Sequence, residues 1–269
     1  MVHSGVPTSL VSTFPTYGTA AVVLAFIESM KVFARAIKWP ARERFHSGRG
    51  WLNGYHTFSF GHHYAPEKLG IGPLIVINDD HIAAKGGFPP HPHDNMEIFS
   101  YVLKGALAHK DSMGNERTLQ RGDIQVMSAG AGITHSEYNP QEDAETHMLQ
   151  IWIVPAEKNL TPSYDERHFS DEEKAGKLVL MISESGEQGS VKMHQDVKVY
   201  SSIVSAGDQV ELPENTPGRQ MYLHVALGSL KVGEEVVGEG DGLHWTEAGT
   251  LGPVTTDSQG EFLLFDLPS

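Results

Sequence analysis

"GALAHKDSMGNERTLQRGDIQVMSAG", residues 105–130, is the stretch that decides the fold. Its short apolar runs are broken by the turn signals "DSMGN" (111–115), "QRGD" (120–123) and "SAGAG" (128–132). A second stretch, "GSLKVGEEVVGEGDGLHWTEAG" (228–249), runs in the same order: Gly, a small residue, Leu, a loop, Gly-Asp, and Ala-Gly at the end. The recurrence predicts a diverged internal duplication. Working outward, "LIVIN" (74–78), "MEIFSYVLKG" (96–105) and "HMLQIWIVP" (147–155) are apolar or alternating runs bounded by Gly, Asp, Asn and Pro. Many short strands at regular spacing predict an all-β sandwich or barrel, and the duplication predicts two β-barrels in one chain. The expected organisation is an N-terminal barrel over 30–157, a linker over 158–178 and a C-terminal barrel over 179–269. The linker contains the charged run "TPSYDERHFSDEEKAGK" (161–177), with room for a short helix.

Residues 1–29 differ from the rest. They carry no Lys or Arg and one acid, Glu28. Their apolar run "AAVVLAFI" (20–27) is too short to span a bilayer, and no positive charge precedes it. A weakly ordered extension is expected there, and no membrane association. The 269 residues include no cysteine, which removes disulfides, thiolate ligands, iron–sulfur clusters and a Cys nucleophile together. That composition is compatible with the cytoplasm, the expected location. A net charge of −14 with no basic block repels phosphate backbones, so direct nucleic-acid binding is not expected.

The candidate chemistry lies in "GGFPPHPHDNMEIFSYVLKG" (86–105). Residues i and i+2 of a strand share a face, so His91 and His93 converge if the segment is extended. Pro89, Pro90 and Pro92 bias it that way. "GAGITHSEYN" (130–139) supplies a second such pair, His135 and Glu137. Three imidazoles and one carboxylate suit a borderline divalent ion: Fe(II), Mn, Co, Ni or Cu(II), with zinc also chemically compatible. Spacing does not select among them. With 15 histidines, one close pair is unremarkable, whereas two pairs in Gly-flanked β context point to a metal. Glu97 completes an HxHxxxE spacing and reads as a ligand or as an acid behind the ligands. His56, His62, His63, His109 and His147 are expected away from the ion, and Asp79-Asp80 reads as a turn. The second repeat has only the lone His224 and His244. No P-loop lysine or Ser/His/Asp context accompanies the glycines.

"HPHDNMEIFSYVLKG", "HKDSMGN", "GDIQVMSAGAGITHSEYNP" and "LQIWIVP" resemble the pirin family of the cupin superfamily, and "RGWLNGYHTFSFGHHY" (49–64) and "VINDD" resemble its bacterial branch. "VKMHQDVKVY" and "FLLFDLP" extend the resemblance to about residue 267. It implies a bicupin of two face-to-face barrels, with one metal in the N-terminal barrel held by His91, His93, His135 and Glu137. On that resemblance Glu97 moves behind the ligands. Fe(II) is the first expected ion. The implied activity is quercetin 2,3-dioxygenase: O2 opens the central ring of a flavonol and carbon monoxide leaves, with Glu137 as general base. A phenolic or flavonol substrate and O2 are the expected partners, and the expected state is a monomer. The alternative is a non-enzymatic, metal-binding regulator acting through protein partners.

Overall fold

The computed structural model describes Met1 and residues 33–269. Apart from Met1, the expected extension over 1–29 lies outside the described residues. The first half carries β1 (Ile37–Trp39), β2 (Phe45–Gly48), β3 (Leu52–His56), β4 (Leu74–Ile82), β5 (Gly87–His93), β6 (Glu97–Lys104), β7 (Ala106–Asp111), β8 (Glu116–Gln120), β9 (Asp123–Ser128), β10 (Ile133–Tyr138) and β11 (Thr146–Ile153). Then come β12 (Ser163–His168), the helical turn α1 (Asp171–Lys174), β13 (Val179–Ser183), β14 (Val191–Lys192), β15 (Lys198–Ser205), β16 (Arg219–Val232), β17 (Glu235–Gly238), β18 (Gly242–Trp245), β19 (Val254–Thr255) and β20 (Gln259–Pro268).

Among the described residues these strands form three sheets. One has the order β12-β9-β6-β11-β4-β3-β2 and a second β5-β10-β7-β8. The third follows β1-β18-β16-β20-β15-β13-β14, with β17 and β19 also paired to β16. The protein is thus all-β with two jelly-roll halves. In hydrogen-bonding terms no sheet closes into a barrel: two sheets make up the first half and one connected sheet the second. The two quoted stretches do the same work in each half: 105–130 becomes β7, β8 and β9, and 228–249 becomes the end of β16, then β17 and β18.

The pleat sorts β6 and β11 into two faces. Ile98 and Val102 of β6 and Met148 of β11 point between the two sheets of the first half. Phe99, Tyr101, Leu103, Leu149 and Ile151 point the other way, into a core shared with Met181, Ile182, Val199, Leu263 and Phe265 of the second half. Burial on both faces explains why these strands read as nearly continuous apolar runs. Each large side chain buried there stabilises by about 1.5–3 kcal/mol, so the seam between halves is a core in its own right. Gly105, with φ of 80°, turns the chain from β6 into β7. A Cβ there would stand 2.8 Å from the Glu145 carbonyl oxygen.

Three local expectations need correction. Asp79 and Asp80 form no turn: both lie inside β4 and are buried. Asp79 tolerates a strand because Arg44 and His147, remote in sequence, meet it. The segment 158–178 is more than a linker. Its β12 pairs with β9, and α1 follows with a capping box between Ser170 and Glu173. Finally, β1 belongs by sequence to the first half but pairs with β18 in the sheet of the second. Ala34 and Ala36 pack on the second half's own apolar cluster, and β1 covers an edge that would otherwise be open.

Candidate metal centre

β10 runs between β5 and β7, which sets the site. His135 is paired with His91 across β5, and Ile133 with His93. On the β5 side the register shifts between His135 and Glu137, whereas the β7 pairing is regular and sets Glu137 opposite His109. The imidazole centroids of His91, His93 and His135 lie 4.5–4.9 Å apart. One ligand atom from each of the three lies within 4.8 Å of the others. Glu137 falls in an overlapping group with His135 and His109 at the same spacing.

Hydrogen bonding separates candidate ligands from neighbours. His135 is 1% exposed, and neither ring nitrogen has a partner. A buried imidazole without partners is costly unless something absent from the protein atoms completes it. His91 donates Nδ1–H to the Pro89 carbonyl at 2.8 Å, which leaves Nε2 with a free lone pair. His109, by contrast, has both nitrogens engaged, by Gln125 at 3.2 Å and Asp111 at 3.3 Å. It walls the site rather than offering a lone pair. Burial, then the His135 and His91 imidazoles, hold the His93 pKa down at about 4. Burial, then His91 and His109, hold His135 at about 3. Neutral imidazoles with free lone pairs are what a borderline divalent ion requires. His91, His93, His135 and Glu137 therefore fit such an ion by donor chemistry and by the unpartnered nitrogens.

The carboxylate of Glu137 is fully buried and oriented at both oxygens. Ser100 Oγ donates to Oε1 at 3.1 Å, and Gln150 Nε2 donates to Oε2 at 2.5 Å. Trp152 Nε1 in turn reaches Gln150 Oε1 at 3.3 Å. The Trp152 ring stands edge-on to His93 at 4.9 Å, and Phe60 packs against Trp152 at 5.5 Å. His91 and His93 are half-buried while His135 and Glu137 are buried, so the site opens on the β5 side.

Glu97 is not behind the ligands. It lies on the face of β6 opposite Ser100, where Ser128 Oγ donates to it at 2.6 Å and His194 approaches at 3.4 Å. The HxHxxxE spacing misled because the turn at Asp94–Met96 changes which face is inward. His56 is tied to Asn78 and Ser47, and His147 to Asp79. Ser100, Gln150 and Trp152 escaped sequence reading, since single polar residues in apolar strands announce nothing about their partners. In the second half His224 is buried alone and His244 meets Gln220. Among the described residues no group of three potential ligands forms there.

Two sandwich halves joined through a shared core, with a polyhistidine centre in the first, define the bicupin class. The chain belongs to the pirin family. The family model described as Pirin matches residues 39–153, and one described as Quercetinase C-terminal cupin domain matches 180–267. The chain is 42% identical over 229 residues to a protein named quercetin 2,3-dioxygenase from Escherichia coli K12, covering 85% of this chain and 96% of that one. It is 43% identical over 225 residues to a putative quercetin 2,3-dioxygenase from Pseudomonas aeruginosa, covering 82% and 95%. The crystal structure of the bacterial pirin YhhW from Escherichia coli in complex with nickel(II) superposes with a TM-score of 0.81 at 40% identity, covering 87% of this chain and 99% of that one.

Proposed function

We infer that the protein is a metal-dependent dioxygenase that cleaves flavonols such as quercetin with O2, releasing carbon monoxide. The observation that carries this reading is His135, buried with two unpartnered nitrogens beside His91, His93 and the oriented Glu137. The relatives named quercetin 2,3-dioxygenase at 42% identity support the reaction class. A divalent ion held by His91, His93, His135 and Glu137 would supply Lewis acidity toward a phenolate oxygen and electronic coupling to O2.

The chain's own residues account for binding and proton transfer. A flavonol must lose its 3-hydroxyl proton before it can bind as an anion, and Glu137 is the carboxylate in position to accept it. Ser100 and Gln150 hold that carboxylate in one orientation, and Trp152 holds Gln150. The Trp152 and Phe60 rings beside His93 offer an aromatic wall for a flat substrate. Both atoms of O2 enter the organic product as carbon monoxide leaves, so the reaction needs no external reductant.

Glu137→Gln tests the base assignment. The variant should fold, since the amide is isosteric, and flavonol turnover should fall by about 10²–10⁴. Loss of flavonol absorbance at a near-normal rate in Glu137→Gln would remove Glu137 from the proton step.

A further inference from the structure

The two turns that carry the candidate ligands are bonded to each other and to a third segment. His93 ends β5 and is followed by the turn 94–96, and the turn 129–132 precedes β10 with its His135. Asn95 N–H donates to the Gly130 carbonyl at 2.8 Å, and Ala129 N–H donates to the Met96 carbonyl at 2.8 Å. Residues 156–160, between β11 and β12, lie against both turns. Asn159 N–H donates to Asn95 Oδ1 at 2.7 Å. Ala131 N–H donates to the Leu160 carbonyl at 2.8 Å.

The backbone is shaped for this contact. Gly130 has a φ of 47°, and a Cβ there would collide with the Leu160 carbonyl. Asn95 and Asn159 are both left-handed, with φ of 48° and 57°. Outside glycine that region is uncommon and favours Asn, and here two such residues meet in one hydrogen bond. Residues 156–159 are exposed, so polar contacts rather than apolar burial set where the segment lies. Its start is tied to the second half. Ala156 N–H donates to the His194 carbonyl at 2.8 Å, and Gln195 Nε2 donates to the Val154 carbonyl at 2.9 Å.

We propose that residues 156–160 are a clasp on the candidate metal centre and that Asn95 is a positioning residue for His93. The need for a clasp follows from the sheet. β5 is an edge strand that pairs only with β10, and His93 stands opposite Ile133 at the end of that ladder. No second strand fixes the end of β5. The clasp does so instead, by holding the turn after His93 and the turn before His135 at one separation. The half without ligands thereby contributes to the centre through His194 and Gln195. The proposal rests on an ion held by His91, His93, His135 and Glu137, and not on the flavonol reaction.

The test is cobalt release. Protein loaded with Co(II) is mixed with excess EDTA, and the loss of the cobalt d–d absorption is followed; the bands before mixing report ligand geometry. Asn95→Gly accepts the left-handed backbone and removes the acceptor, so release should quicken by about 3–10-fold, with altered bands. Asn159→Val places a β-branched residue at a φ of 57° and should quicken release from the other side of the same contact. Asn159→Gly keeps both the N–H and the backbone conformation, so it should release cobalt at the wild-type rate. Asn95→Gly/Asn159→Val should be no faster than the faster single variant, because both break one contact. Wild-type release rates and bands in Asn95→Gly and Asn159→Val, with cobalt bound, overturn the clasp and leave the centre standing. Wild-type protein that binds no cobalt overturns the centre, and the clasp with it.

Discussion

His135 and His109 sit 5.3 Å apart, centroid to centroid, and both are buried, yet their hydrogen bonding is opposite. His109 is saturated by Asp111 and Gln125, whereas His135 has no protein partner at all. The difference is invisible in composition or spacing, because it depends on which polar groups neighbouring strands deliver. His224 is a third case. It too is buried without partners, but no second ligand stands with it. Burial holds its pKa down at about 4, against about 6.5 for an exposed histidine. The unfolded chain therefore binds a proton between those values that the folded chain refuses. His224's share of stability is present above about pH 6.5 and is lost as pH falls toward 4. His224→Phe should flatten the fall in unfolding free energy over that window, as read by denaturant titrations at several pH values. An unchanged slope would mean that His224 does not titrate as its burial implies.

At the scale of elements, the two HxH-type pairs were legible because strand geometry repeats every second residue. His91/His93 and His135/Glu137 announce a shared face before any tertiary contact is known. The strands supporting Glu137 were not, because Ser100 and Gln150 lie 37 and 13 residues away from it. The charged run before β13 hid its role for the same reason. Within it, Lys174 of α1 is buried, and its Nζ donates to Tyr101 Oη at 2.9 Å and approaches Glu261 at 3.2 Å. Arg121 reaches the other Glu261 oxygen at 2.7 Å, and Tyr101 also bonds Glu261. The capping box on Ser170 fixes the turn that carries Lys174 inward. Glu261→Ala leaves buried Lys174 with only the more distant, half-exposed Asp171 carboxylate at 3.5 Å, so it should destabilise by about 3–5 kcal/mol in equilibrium unfolding. A loss below 1 kcal/mol would show that the network merely fills space.

At the scale of the molecule, the all-β class and the duplicated order were legible from turn signals and short apolar runs. The extent of the seam was not. Runs such as "EIFSYVLK" (97–104) read as buried strands, but only the fold shows one face serving the first half and the other the second. Phe265 packs in that seam with Phe99 and Tyr222. Phe265→Ala should cost about 3–5 kcal/mol and still leave one cooperative transition, coincident by fluorescence and circular dichroism. Two separated transitions in the variant would show that each half holds itself together. The seam also keeps β6 and β11 in place, and through Ser100 and Gln150 it keeps Glu137 in place.

A metal-dependent dioxygenase centred on His135 should release carbon monoxide only with its ion in place. The most direct measurement is carbon monoxide released against quercetin consumed, under oxygen, by metal-reconstituted wild type and by His135→Ala at the same metal concentration. The wild type should release equimolar carbon monoxide, dependent on added metal, and the variant none above background. Equal release from His135→Ala, or none from wild type that holds its ion, would rule out a dioxygenase centred on His135.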